Sequence, residues 1–169
     1  MMDREQLQAV QAPLKARYRE DPAAASITLH AAGDLDGSDV VCSVATGRAI
    51  VEVGLHPATG GSGIHACSGD MLLQALVACA GVTLRSVATS LEINVTGTVR
   101  AEGDLDFRGT LGVDKEAPVG FQAIRMIFEL DSDAPDEKIA TLMRLTERYC
   151  VVYQTLRSGI AVDVSTRRV

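Results

Sequence analysis

The segment from Asp70 to Leu91 constrains the fold more than any other. It reads DMLLQALVACAGVTLRSVATSL, with apolar residues almost all the way round a helical projection. A helix of that kind has no face to give to water and must be covered on most sides. Ser68 or Asp70 supplies a side-chain oxygen to cap its start. The longest apolar stretch, Met71 to Val82, is interrupted by Gln74 and reads as too short to cross a bilayer. The rest of the chain must therefore be arranged as cover for this helix, and a second copy of the chain is one source of that cover.

The flanking segments supply the cover in two kinds. Residues 3–20 read as a helix with a narrow apolar stripe of Leu7, Val10, Leu14 and Tyr18. Asp3 and Gln6 have the spacing of a capping box, and Pro13 is expected to kink or divide the helix. Residues 26–55 change to strand character. Ser26–His30, Asp39–Ala45 and Arg48–Leu55 read as three strands, with turns at Gly33–Gly37 and Thr46-Gly47. After the apolar helix, Asn94–Phe107 and Phe121–Asp131 read as strands joined by a long connection over Gly109–Gly120. A helix follows with Asp133 as cap and Pro135 in its first turn. It continues past Cys150 to about Arg157, with a junction of two helices near Cys150 and a stop at Ser158-Gly159. Ile160–Ser165 reads as a closing strand. Strands segregated around a central helix point to an α+β fold rather than a doubly wound sheet. Residues 1–25 are expected to be a helical extension and 26–169 one domain, since no repeat or linker divides the chain.

Charge and motif content exclude several functions. Sixteen basic against 22 acidic residues give a net charge of −6, and the basic residues form no run apart from Arg167 and Arg168. A nucleic-acid partner is not expected from that distribution. The first residues lack the apolar core of a secretory signal, so the cytoplasm is the expected location and no membrane partner is expected. The Gly-rich loop Pro57–Gly63 lacks the Lys-Ser/Thr ending of a phosphate loop. His56, His65 and Cys67 lack the tight spacing of a metal site, and no CxxC occurs, so neither cofactor nor metal is expected.

Four cysteines remain: Cys42, Cys67, Cys79 and Cys150. Cys42 alternates within a strand and reads as structural. Cys79 stands in the middle of the apolar helix, in Leu76-Val-Ala-Cys-Ala-Gly81. Its plain reading is a small core residue. It becomes a reactive thiol only where something stabilises the thiolate, and Arg48 and Arg85 are the candidate cations. Cys150 sits on another helix, between Glu147-Arg148-Tyr149 and Val151-Val-Tyr-Gln154. Thr146, Glu147 and Arg148 read as a solvated helix face rather than a catalytic base.

The stretch Gly60-Gly-Ser-Gly, followed by Ser68-Gly-Asp-Met-Leu-Leu-Gln-Ala-Leu-Val-Ala-Cys79 and later Cys150-Val-Val, resembles the signature of the OsmC/Ohr superfamily. The resemblance covers about residues 26–166. It implies antiparallel sheets wrapped around central helices in an intertwined homodimer. It also implies a thiol peroxidase for organic hydroperoxides or hydrogen peroxide. In that reading Cys79 attacks the peroxide, Cys150 resolves the sulfenic acid, and a dithiol reductant of lipoyl or other type restores both. Cys67 is the lesser candidate for the resolving thiol. Arg48 takes the place of the family's arginine. Ten residues before Cys79, where the family carries a glutamate, this chain has Gly69, with Asp70 the acidic residue one position on; Ala80 stands where an aromatic residue is common. The alternatives are a non-enzymatic protein of the same fold that binds a small apolar ligand or a partner, and a thiol redox sensor.

Overall fold

A computed structural model describes residues 3–21, 24, 33–34, 41–45 and 50–168. At its centre is the apolar helix, here α2, which runs from Ser68 to Leu91. Its 24 residues make a rod of about 36 Å. By length and composition, with a mean hydropathy of 1.6, it is long enough to cross a membrane. This corrects the reading from Met71–Val82, because the helix carries the segment on to Leu91. In the fold the helix packs instead against other elements of its own chain. Its N-cap is Cys67, which makes no side-chain cap bond, so neither Ser68 nor Asp70 caps it. The start is fixed from outside. Ala66 bridges to Val53, with Ala66 N–H donating to the Glu52 carbonyl at 3.0 Å and Gly54 N–H donating to the Ala66 carbonyl at 3.0 Å.

Leu76, Ala80, Leu84 and Ala88 are the buried residues of α2, spaced four apart along one face. That spacing stacks them in a ridge. Against the ridge lie α4 (Asp136–Tyr149), α5 (Val151–Ser158) and strand β4 (Thr96–Asp104). The main core cluster joins Leu84 and Ala88 to Ile93, Val95 and Leu142, with Phe128, Leu130, Ile139 and Met143 packed at its edge. β4 pairs antiparallel with β5 (Ala123–Asp131), in register from Thr96 opposite Asp131 to Asp104 opposite Ala123. Gly97 has a φ of +133°, and a Cβ there would stand 2.0 Å from the Glu129 carbonyl oxygen, so the register depends on a bare backbone at that point. The connection between these strands is not all loop: α3 (Phe107–Thr110) forms within it, capped by Asp106.

A second antiparallel sheet joins β1 (Gly33–Asp34), β2 (Val41–Ala45) and β3 (Ile50–Gly54) in that order. The pairing of Gly33 with Val44 and Asp34 with Ser43 places strand where a turn was expected. The expected strand Ser26–His30 lies outside the described residues. Helix α1 (Arg4–Glu20) has the anticipated capping box, with Gln6 N–H donating to Asp3 Oδ1 at 2.8 Å. Pro13 does not divide it. It packs on α2, and Arg4 pairs with Glu92 at 2.7 Å near the end of that helix.

Two expectations near the C-terminus are corrected. Helix α4 begins two residues later than its sequence suggests, with Pro135 itself as N-cap and no cap bond from Asp133. Pro135 keeps an extended φ and ψ, and Ser132 organises the approach by accepting from Ala134 N–H at 3.2 Å. Residues 160–168 form no strand. Ile160, Val162 and Val164 alternate as a strand would, but among the described residues no strand pairs with them and all three are exposed, Val164 to 89%.

Candidate functional site

The helical stretch after β5 breaks at Cys150, which ends α4 and caps the start of α5. Its N–H donates to the Thr146 carbonyl at 3.0 Å, and its own carbonyl accepts from Gln154 N–H at 3.0 Å. One residue therefore closes one helix and opens the next. Both helices lie on α2, and the junction falls beside Cys79. The two thiols are within hydrogen-bonding reach and neither is in a disulfide.

Their environments push them in opposite directions. Cys79 is half-buried, and burial alone would raise its pKa. Hydrogen bonds from the Val152 backbone, the Cys150 thiol, the Val151 backbone and the Thr83 hydroxyl together outweigh that, and the thiol is held below the ordinary cysteine range. Val151 and Val152 are the first residues of α5, so the thiolate meets the N–H groups of a helix N-terminus. Cys150 is fully buried, at 0% exposure. Burial pushes its pKa up, and the neighbouring Cys79 thiolate reinforces this by taking its proton as a hydrogen bond. The pair is thus asymmetric, with Cys79 the more readily ionised thiol and Cys150 the one that holds its proton more firmly. A cleft of about 500 Å³ nearby is lined by Leu76, one turn before Cys79, by Tyr153, one turn after Cys150, and by Phe121, Met126, Met143 and Leu156.

The other expected site residues fare differently. Arg48 lies outside the described residues. Arg85, the second candidate cation, donates from Nη1 to the Val95 carbonyl at 3.0 Å, and among the described residues no arginine contributes to the lowering of Cys79. Asp70 is in the first turn of α2 and exposed. It lies nine residues before Cys79 on one continuous helix, about 13.5 Å along its axis. It lines a different pocket, of about 370 Å³, with Cys67, His56, Asp104, Phe107 and Phe121. His56 stacks on Phe107 there, ring centroids 5.0 Å apart. Among the described residues no group of His, Cys, Asp or Glu is arranged to hold a metal ion. The sequence reading missed Thr83 and the backbone of Val151 and Val152. The break expected near Cys150 was the available signal for the latter, because a helix that restarts there must present unpaired N–H groups.

A paired thiol on the central helix of an α+β fold defines a class, and the comparisons with known proteins narrow it. Residues 60–165 match the OsmC-like protein family, and the chain belongs to that family. No curated protein matches the chain. Among solved structures it is similar to an OsmC-like protein from Mycoplasma pneumoniae, with a TM-score of 0.64 and 16% identity over 78% of this chain and 89% of that one. It is also similar to an organic hydroperoxide resistance protein OsmC from Legionella pneumophila, with a TM-score of 0.56 and 15% identity over 78% and 90% of the two chains. The organic hydroperoxide resistance protein OhrB of Bacillus subtilis aligns with a TM-score of 0.52 and 17% identity over 79% and 93%.

Proposed function

We propose that this protein is a two-thiol peroxidase that reduces organic hydroperoxides or hydrogen peroxide. The observation that carries the reading is the asymmetry of the pair: Cys79 is favoured as thiolate by the start of α5, and Cys150 is a buried, protonated thiol at hydrogen-bond distance. The Cys79 thiolate attacks the terminal peroxide oxygen. The O–O bond breaks, and the leaving alkoxide takes a proton and departs as alcohol. Cys79 is left as sulfenic acid. Cys150 then attacks that sulfur and gives up its proton, water leaves, and a Cys79–Cys150 disulfide forms. An external dithiol supplies two electrons to restore both thiols. Arg48 keeps the part suggested by the resemblance, a cation that favours the thiolate, and Asp70 acts through a bridging side chain.

The reading includes a homodimer. Leu72, Ala75, Ala78 and Val82 share one exposed face of α2, with Val82 at 72% exposure, and the apolar tail Ile160–Val164 pairs with no strand among the described residues. A second copy would cover both. Light scattering at micromolar concentration should give twice the chain mass; monomer mass alone would remove this part of the proposal. The chemistry is tested by adding one equivalent of cumene hydroperoxide to the reduced protein. Two thiols per chain should disappear, and non-reducing peptide mapping should join Cys79 to Cys150. Persistence of both free thiols would return the protein to the ligand-binding alternative. That alternative has one observation in its favour, an apolar pocket of about 350 Å³ between α2 and the β4–β5 hairpin, lined by Leu84, Val95, Val99, Phe128 and Leu130.

A further inference from the structure

Beside the Cys150 junction the surface changes character. A groove of about 640 Å³ is lined by Arg144, Arg148 and Arg157, together with Tyr149, Gln154 and Glu147. Three arginines face one carboxylate there, on a chain whose net charge is −6. Among the described residues none of the three arginines has a carboxylate within ion-pair distance. Arg4, Arg100, Arg108 and Arg125 all do.

Helix stability accounts for two of these arginines and not for the third. Arg148 and Arg157 lie in the last turns of α4 and α5, where a cation suits the helix dipole. Arg144 lies farther inside α4 and stands one turn from Arg148, so the two like charges repel. Arg148 also lies over the Tyr149 ring, 5.7 Å from its centroid, which holds an exposed aromatic beside the charges. Gln154 Nε2 donates to the Glu147 carbonyl at 2.8 Å and ties the two helices across the groove. Arginine and tyrosine on a fixed frame are the residue types that protein interfaces concentrate at their centres.

We infer that this groove docks the acidic surface of a dithiol-bearing protein, which reduces the Cys79–Cys150 disulfide. The inference rests on the two-thiol reading above and names the partner that completes it. Tyr149 is the residue next to Cys150, so a chain seated on the groove brings its dithiol to the helix junction that holds the disulfide. One thiolate of the partner attacks a sulfur of the disulfide. The S–S bond breaks, its electron pair leaves on the other cysteine, and that sulfur is protonated. The partner's second thiol then attacks the mixed disulfide, releasing the second cysteine as thiol and leaving the partner oxidised.

The test uses the full chain oxidised with diamide, so that it does not depend on peroxide chemistry. The probes are a Cys-Gly-Pro-Cys peptide flanked by glutamates, the same peptide flanked by lysines, and dithiothreitol. The glutamate peptide should reduce the protein at least about tenfold faster than the lysine peptide, as charge-steered encounters do, and salt should erase the difference. Combining R144E and R148E should reverse the preference while leaving the dithiothreitol rate and the rate of peroxide oxidation unchanged. Equal rates for the two peptides would overturn the inference. So would an equal fall with all three reductants, a change of oligomeric mass in the variant, or failure of diamide to form the disulfide. If peroxide fails to oxidise the protein but the peptides still discriminate on the diamide-oxidised form, the peroxidase reading fails and the docking surface stands.

Discussion

Two thiols of this protein stand at helix N-termini, and they end in different chemistry. Cys67 is the N-cap of α2, a helix of 24 residues. Cys79 is not part of α5 at all, yet it lies against the start of that helix, which has only eight residues. On helix length alone the larger dipole belongs to Cys67. But Cys67 makes no cap hydrogen bond. Cys79 receives N–H groups from Val151 and Val152, and a thiol and a hydroxyl besides. What favours a thiolate is therefore the number of donors that converge on the sulfur, more than the length of the helix behind them. The macrodipole acts through its terminal N–H groups, and those at the start of α5 reach the Cys79 sulfur.

The comparison breaks most visibly by substitution. Cys79→Ser should lower the rate of hydroperoxide consumption on the order of a thousandfold or more, a barrier increase of about 4 kcal/mol. Cys67→Ser should leave that rate within about twofold, well under 1 kcal/mol. Similar losses in both, measured by peroxide consumption with dithiothreitol as reductant, would erase the distinction between the two regions.

A smaller effect separates the two members of the pair. Cys150→Ser should leave the first attack intact but remove the thiol that captures the sulfenic acid. Cys79 then proceeds to sulfinic acid under excess peroxide. Intact-mass spectra should show the two added oxygens on that variant and a disulfide on the parent protein. Absence of any such gain would reassign the resolving step, with Cys67 next in line.

The pH dependence sharpens the same point. Because the folded environment lowers the Cys79 pKa, its thiolate is populated at lower pH than that of an ordinary cysteine, and the single-turnover oxidation rate should rise through a correspondingly lower midpoint. Thr83→Val removes one donor to the thiolate and so favours the thiol. The midpoint should move upward by about half a pH unit, equivalent to ~0.7 kcal/mol for one hydrogen bond. The smallest effect is expected from Asp70→Asn. At about 13.5 Å along the helix it should move the midpoint by less than about 0.2 unit. A shift as large as that of Thr83→Val would bring Asp70 into the Cys79 site.

Much of this arrangement was legible in the chain. The apolar helix, the two later strands, the break near Cys150 and the stop at Gly159 all follow from local signals, because apolar periodicity and a left-handed glycine act within a few residues. The two cysteines were singled out on the same helix and junction that the structure brings together. What the chain does not spell out has a physical reason. A cation such as Arg48 stands in the sequence as a letter, whereas the Val151 and Val152 donors are backbone groups that every residue carries. Asp70 was placed by its distance along the sequence, which on a continuous helix becomes a real distance along an axis. The alternation of Ile160, Val162 and Val164 suggests a closing strand, but a strand also needs an edge to pair with, and none is supplied among the described residues.

The brevity of α5 has its own consequence. An isolated helix of eight residues does not persist in water, so α5 exists because it is docked on α2. The donors that serve Cys79 are ordered only while that docking lasts. Thiol activation is therefore conditional on a local folding equilibrium, one that opens at a lower free-energy cost than the whole molecule. Mild heat or denaturant that frees α5 should silence Cys79 while the core around Leu84 and Leu142 stays folded, so loss of reactivity would precede loss of structure.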